Sequence, residues 1–492
     1  MLIWFLPLFL VILMIGMPVF FALLAAPGVM IWATGSERDL GLMYRNVFNG
    51  MDSFPLMALP FFLLAGEIMN RGGITQRLVE FSQAVIGQVR GALAHVNILS
   101  SILFAGLSGS AVADVSALGS TLIPAMEWQG YTRRFAAAIT AASAVIGPII
   151  PPSGIMIIYA YVMGESVAAL FLAGIVPGLL VGIGLMIAVA LMADRYDLPR
   201  AERVVEENPE IAPLESRVAS VLLRLDIALL LLIPFGLLRG RLGLDLGGWA
   251  SLLLMLPVAH GIAVALRRAV SPRFRIVCKK AVAPMQTPLI ILGGILGGVF
   301  TPTEASAFAV AYALVVSFLI LRSMRLADLA PVLARSALAS AAVLLLVGAA
   351  VAFKTVVSLS YAPQILTDAI LGLSDNPLMV LLLINLLLFI VGMFLDAGPA
   401  IIILGPILGP IFVELGVDPV HFAIIMAVNL TVGLATPPMG LVLFVASTVS
   451  GEKVETISLA ILPFLVVHVV VILLITYVPA ISLTIPRLLG FV

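Results

Sequence analysis

Gly147-Pro-Ile-Ile-Pro-Pro-Ser-Gly154 and Gly433-Leu-Ala-Thr-Pro-Pro-Met-Gly440 are the two stretches on which the fold turns. Each sits midway along an apolar run, 135–163 and 421–449. Proline lacks an N–H and clashes with the preceding helical turn, so a Pro-Pro pair bracketed by glycine interrupts a helix. The interruption frees carbonyl oxygens and leaves two half-helix ends aimed at one place. Carbonyl and hydroxyl oxygens suit a hard cation such as Na⁺. Half-helix N-termini suit a carboxylate.

The two stretches share a register. Pro151 and Pro437 stand 286 positions apart. The same offset, without gaps, brings Gly106 onto Gly392, Gly119 onto Gly405, Pro124 onto Pro410 and Gly130 onto Gly416. It also matches Gly147 with Gly433, Gly154 with Gly440 and Pro177 with Pro463. What recurs is helix breakers rather than packing residues, so the copies are a functional unit of hairpin, broken helix and helix. A duplication kept only for stability is the plainer alternative.

Composition places both copies in a membrane. Of 492 residues, 62% are hydrophobic and 11% charged, with mean hydropathy +1.21; soluble domains run at ~45–50% apolar and ~25% charged. Apolar runs fall near 2–32, 54–69, 92–127, 135–163, 168–193, 221–238, 246–266, 281–299, 303–321, 336–359, 377–413, 421–449 and 457–480. The run 2–32 lacks a basic leader and is read as a first transmembrane helix rather than a signal peptide. The chain is thus multi-pass, with the lipid bilayer as its solvent.

Several function classes are excluded. Zero net charge gives no electrostatic case for nucleic acid. The lone Cys278 rules out internal disulfides, and His95, His260, His421 and His468 lack the spacing of a catalytic zinc site. There is no GxxxxGK[ST] loop for ATP. Gly293, Gly294, Gly297 and Gly298 are spaced as membrane packing glycines, not as a dinucleotide fingerprint. Ser108-Gly-Ser110 has no histidine–acid pair to activate it. No enzyme and no organic cofactor is expected.

Basic clusters set the sidedness, because short cytoplasmic loops collect Lys and Arg. They are Arg71, Arg77 and Arg90; Arg133 and Arg134; Arg195, Arg200 and Arg203; Arg267 to Lys280; and Arg322 and Arg325. With all of these inside, residues 92–127 enter and leave on one face, as a re-entrant hairpin or two very tight spans. The loop from Tyr361 to Asn376, with Asp368 and Asp375 and no Lys or Arg, is placed outside. Residues 377–413 then form a second hairpin of opposite entry. Irregular backbone at these tips must face protein or a water-filled cavity.

The tips and breaks carry the candidate chemistry. Ser108, Gly109 and Ser110 align with Phe394, Leu395 and Asp396, and Ser143 aligns with Asn429 just before each break. Their side-chain oxygens are candidates to complete ion shells. Acids in apolar segments cost at least ~2.5–3.5 kcal/mol on insertion scales, which singles out Glu67, Asp114, Glu304 and Asp396, each with the alternative of an interfacial or satisfied structural acid. Lys354, near a helix end, is expected to snorkel.

Five strings carry a family resemblance: Gly109-Ser-Ala-Val-Ala-Asp114, Ile146-Gly-Pro-Ile-Ile-Pro-Pro-Ser153, Phe300-Thr-Pro-Thr-Glu-Ala305, Val391-Gly-Met-Phe-Leu-Asp396 and Val428-Asn-Leu-Thr-Val-Gly-Leu-Ala-Thr-Pro-Pro438. Over roughly 5–195 and 281–485 the chain resembles the large, DctM-like membrane subunit of TRAP (tripartite ATP-independent periplasmic) transporters, in the ion-transporter superfamily. The resemblance implies an all-α polytopic elevator-type carrier with inverted repeats, two re-entrant hairpins and two discontinuous helices. It implies uptake of small organic anions such as carboxylates, driven by co-transported Na⁺ at two or more sites. The partners implied are a small TRAP membrane subunit and a periplasmic substrate-binding protein, in the bacterial cytoplasmic (inner) membrane. A stand-alone symporter or antiporter of the same superfamily is the alternative.

The same resemblance implies a layout. Residues 1–91 are scaffold helices, 92–166 the first transport half, 167–195 a scaffold helix, 281–376 scaffold helices of the second half, 377–451 the second transport half, and 452–492 a C-terminal helix. By motif the resemblance gives Ser108, Ser110, Gly147 and Pro152 for the first Na⁺ set and Gly392, Gly433, Thr436 and Met439 for the second; Ser143 and Asn429 join these sets from their places just before the breaks. Substrate falls to Ser108, Gly109, Ser110, Pro152, Ser153, Asp396, Pro437 and Pro438. Residues 196–280 depart from the pattern as a linker with two added membrane segments, expected to extend the scaffold or dock the small subunit.

Overall fold

The computed structural model describes residues 4–33, 35, 37–200, 211–242, 248–360, 372 and 376–492, and these are helical apart from turns and an isolated β-bridge between Arg90 and Arg200. Among the described residues, six helices are long and apolar enough to cross a membrane, and a seventh crossing exists if Leu40–Met51 and Pro55–Arg71, bent by 55°, act together.

The N-terminal run holds α1 (Phe5–Met14) and α2 (Val19–Ala33). This corrects the single helix expected over 2–32. Gly16 takes φ +91° and Pro18 follows, and that pair ends one helix and starts another. Next come α3 (Glu37–Met51), α4 (Ala58–Arg71) and α5 (Ile74–Ile86). α5 buries Ile74, Thr75, Leu78, Val79 and Ser82, one face at helical spacing. α3 and α5 are too polar to register as apolar runs, so hydropathy passed over both.

The first hairpin is α6 (Ala92–Ser108) and α7 (Ala111–Trp128). Gly109 turns the chain with φ +59°, and the Ser110 hydroxyl caps α7 by accepting from the Ala113 N–H at 3.4 Å. α8 (Arg133–Ala144) and α9 (Gly154–Met163) are the halves of the first broken helix, and α10 (Val167–Met192) closes the copy. The insert supplies α11 (Pro213–Leu242) and α12 (Gly248–Ala269). Then follow α13 (Pro272–Leu296), α14 (Pro302–Leu314), which runs into a π-turn at Val315–Ile320, and α15 (Leu326–Leu359). The second copy ends with α16 (Pro377–Phe394), α17 (Ala397–Glu414), α18 (Pro419–Gly433), α19 (Leu441–Ser450), α20 (Val454–Tyr477) and α21 (Ala480–Leu488).

Two boundaries move. The expected division at 280/281 falls inside α13, which starts at Pro272 behind a Ser271 cap. Residues 452–492 hold two helices, parted after Tyr477, rather than one. The loop 361–376, with Asp368 and Asp375, lies outside the described residues except for 372 and 376.

The 286-residue register carries over to the bounds of several helices. Shifted by it, α7 falls on 397–414, the span of α17, and α10 falls within one residue of α20 at both ends. The bent pair over 40–71 falls on 326–357, the straight body of α15. Pro55 breaks the first copy, and Ala341 stands at the matching place in the second. The repeat therefore reaches well beyond the hairpins and breaks.

Packing between the copies is reciprocal. α7 packs on α19 while α17 packs on α9; α8 packs on α20 while α18 packs on α10. α4 packs on α14, and α2 on α15. Partners exchanged this way are the signature of a two-fold relation; a simple translation would not exchange them. The first halves of the broken helices are the most enclosed elements. Phe135–Ala144 and Val420–Gly433 are buried throughout, so the core sits beside the breaks.

Candidate transport site at the two breaks

In the first copy the hairpin tip closes onto the break. A Cβ on Gly109 would fall under 3.0 Å from the Pro152 carbonyl oxygen, so only glycine permits that approach. The Ser153 hydroxyl donates to the Pro148 carbonyl and caps α9 by accepting from the Met156 N–H at 3.4 Å. Pro151, Pro152 and Ser153 are buried, and Ser108, Gly109 and Ser110 are half-buried. Both Pro-Pro bonds, 151–152 and 437–438, are cis.

Asp114 sits under this junction, fully buried. One carboxylate oxygen accepts from the Ser108 hydroxyl. The other, Oδ2, is buried without a hydrogen-bond partner, and a Cβ on Gly147 would fall under 3.0 Å from it. No Lys or Arg among the described residues pairs with Asp114. An isolated buried carboxylate costs several kcal/mol, roughly, unless a cation or proton offsets it. The predicted sets left Asp114 out. Its place as an acid four residues beyond the α7 cap was the available signal.

Ser143 is spent elsewhere. Its hydroxyl donates to Asn97 Oδ1 at 3.1 Å and accepts from Ser101 at 2.9 Å, and Asn97 Nδ2 donates to Thr140 at 2.7 Å. These four residues tie α6 to α8. Asn429 makes the matching tie, donating to Asn385 Oδ1 at 2.7 Å and to the Ile425 carbonyl at 2.8 Å. Unlike Ser143, it keeps a buried oxygen, Oδ1, with no partner. Among the described residues, Asp114 in the first copy and Asn429 in the second thus each keep an orphaned buried oxygen.

The second copy packs backbone on backbone. Gly392 of α16 and Gly433 of α18 meet so closely that a Cβ on either would come under 3.0 Å from the partner helix's main chain. Thr436 is buried, and its hydroxyl donates to the Val432 carbonyl at 2.8 Å. The far side of this break is open: Pro437 is half-buried, and Pro438 and Met439 are exposed. Asp396 is exposed as well and caps α17 by accepting from the Ala397 N–H at 2.8 Å. The first break is closed and the second open, an asymmetry within a two-fold frame.

The other singled-out charges are structural. Glu304 forms a capping box with Thr301 at the head of α14, and Glu67 pairs with Arg335 at 3.3 Å. Lys354 does not snorkel. Its half-buried ammonium donates to the Val162 carbonyl, in the last turn of α9, where a cation meets the negative end of a helix.

Comparison with known proteins follows the same outline. Residues 6–481 match the family described as tripartite ATP-independent periplasmic transporter, DctM component. The chain is 38% identical to the uncharacterized protein YgiK of Salmonella typhimurium over 98% of its own length and 96% of that protein's. It is 34% identical to the sialic acid TRAP transporter large permease protein of Vibrio cholerae, covering 97% and 96% of the two chains. It is 36% identical to the C4-dicarboxylate TRAP transporter large permease protein of Pseudomonas aeruginosa, covering 94% and 92%. Among solved structures, the YdaH transporter of Alcanivorax borkumensis aligns over 92% of this chain and 89% of its own, with TM-score 0.53 and 16% identity, a likeness of fold alone.

Proposed function

The chain belongs to the DctM component family of tripartite ATP-independent periplasmic transporters, and from that premise we propose that it is the membrane permease of a Na⁺-driven importer of small organic anions. The observation that carries the coupling ion is the unpartnered Asp114 oxygen lodged against Gly147, with the Ser108 hydroxyl on the other side. A buried carboxylate with hydroxyl and carbonyl oxygens around it is a donor set for a hard cation. Ser108, Ser110, Gly147 and Pro152 would hold the first ion together with Asp114. Gly392, Asn429, Gly433, Thr436 and Met439 would hold the second.

Substrate then binds between the breaks, against the heads of α9 and α19, where half-helix N-termini face an anion. Ser108, Gly109, Ser110, Pro152, Ser153, Asp396, Pro437 and Pro438 line that space. The two halves 92–166 and 377–451 form a mobile unit that slides against the remaining helices. A small membrane subunit and a periplasmic binding protein complete the importer in the cytoplasmic membrane. The relatives' names include sialic acid, C4-dicarboxylates and isethionate, and an anionic acid group, carboxylate or sulfonate, is what these share.

The test is reconstitution of the chain with those two partners in proteoliposomes. Uptake of a C4-dicarboxylate or sialic acid that needs an inward Na⁺ gradient supports the proposal. Uptake that ignores Na⁺, or that requires ATP, overturns it.

A further inference from the structure

The insert gathers positive charge where it meets the rest of the chain. α11 and α12 pack as an antiparallel pair, and α11 packs on α13. The start of α11, the end of α12 and the start of α13 therefore lie at one end of a three-helix group. Arg224 comes from α11, Arg267 from the last turn of α12, and Arg275 and Lys279 from α13. Arg275 stands one helical turn before Lys279 on α13, Lys279 reaches across to Ser216 of α11 at 2.8 Å, and the charges of Arg267, Arg275 and Arg224 all act on its ammonium. Arg224, Arg275 and Lys279 are half-buried between the helices, and Arg267 is exposed.

No carboxylate answers them among the described residues. Glu215 is taken by Arg77. Asp226, two residues beyond Arg224, accepts instead from Gln286 at 2.6 Å. Lys279 reaches only a neutral partner, the Ser216 hydroxyl at 2.8 Å. Four like charges brought together repel, and partial burial weakens the screening that water would give. Topology signalling needs only that Lys and Arg stand in the loop. It does not need them drawn into a groove between three helices. A bound anion would remove the repulsion.

We propose that this junction binds the headgroup of an anionic phospholipid, the two-phosphate headgroup of a cardiolipin-type lipid matching its four cations best. Lys279 lies about 10 Å along α13 from its start, in the basic first third of a helix of membrane-spanning length. The apolar faces of α11 and α12, with exposed Val221, Leu225, Leu254 and Val258, would carry the acyl chains. Basic pockets between membrane helices are a recurring site for such headgroups. The lipid would cement the insert to α13, adding to the Asp226–Gln286 hydrogen bond.

The full chain, purified in neutral detergent and stripped of lipid, is melted with cardiolipin, phosphatidylglycerol, phosphatidylcholine or inorganic phosphate. Cardiolipin is expected to raise the midpoint by about 3 °C or more, phosphatidylglycerol by less, and the other two not at all. Arg224→Gln/Arg275→Gln/Lys279→Gln should abolish the shift, and Arg133→Gln/Arg134→Gln, which removes charge elsewhere, should keep it. If the triple variant is not recovered, Arg275→Gln and Lys279→Gln are each compared with wild type for cardiolipin retained through purification, by mass spectrometry; a loss of at least half is expected. An equal shift with phosphatidylcholine or inorganic phosphate, an undiminished shift in the triple variant, or undiminished cardiolipin in both single variants overturns the proposal.

Discussion

The Asp114 carboxylate rests against the backbone of Gly147, with no room for a Cβ between them. Hairpin and broken helix are thereby keyed to each other through an acid and a glycine. Filling the glycine or neutralising the acid attacks one junction in two different ways.

Asp114→Asn keeps the shape and removes the charge. Na⁺-driven uptake is expected to need at least about tenfold more Na⁺ for half-maximal rate, equivalent to about 1.4 kcal/mol. Stabilisation of the purified protein by Na⁺ should shrink with it. A Na⁺ titration identical to wild type would remove Asp114 from the ion site.

Gly147→Ala pushes a methyl group into the Asp114 oxygen. Overpacking of this kind costs about 1–3 kcal/mol. The loss should fall on Na⁺ affinity as well as on stability. Gly154→Ala, whose Cβ would meet only the end of Leu59 at 3.3 Å, is expected to be mild on both readouts. Equal effects from the two would contradict the keyed junction.

Ser110→Ala and Thr436→Ala probe one hydroxyl in each copy. Loss of the α7 cap at Ser110 costs about 1 kcal/mol by itself, so stability is measured alongside uptake. Both variants should raise the Na⁺ concentration for half-maximal uptake; unchanged Na⁺ dependence in both rejects the paired assignment.

Lys354→Met removes the ammonium that α15 lends to the end of α9. The maximal uptake rate is expected to change while half-maximal Na⁺ stays within about twofold of wild type, since the contact lies at the opposite end of α9 from the break; a hydrogen bond to a charged group is worth about 1.5–3 kcal/mol. A Na⁺ shift as large as that of Asp114→Asn would tie Lys354 to the ion site instead.

The fold was legible where it depends on backbone-special residues. Pro151, Pro437 and their flanking glycines announce the breaks, and the same register predicts α17 from α7. The α1–α2 break at Gly16 and Pro18 was equally visible and was hidden only by the apolar run around it. α3 and α5 escaped because their buried faces are diluted by polar ones. At the site, sequence separates Asp114 from Gly147 and Lys354 from Val162, and only packing brings each pair together. Ser143 and Asn429 occupy matching positions, yet one spends its oxygen on the hairpin and the other does not; alignment cannot tell such partners apart.

If both breaks serve ions that travel with the substrate, Na⁺ and substrate must enter together. Measured side by side in proteoliposomes holding the chain and its two partner proteins, more than one Na⁺ is expected per substrate in wild type, and a lower ratio, or no coupled flux, in Asp114→Asn. Substrate entry with no accompanying Na⁺, unaltered by that substitution, would show that the breaks carry no coupling ion.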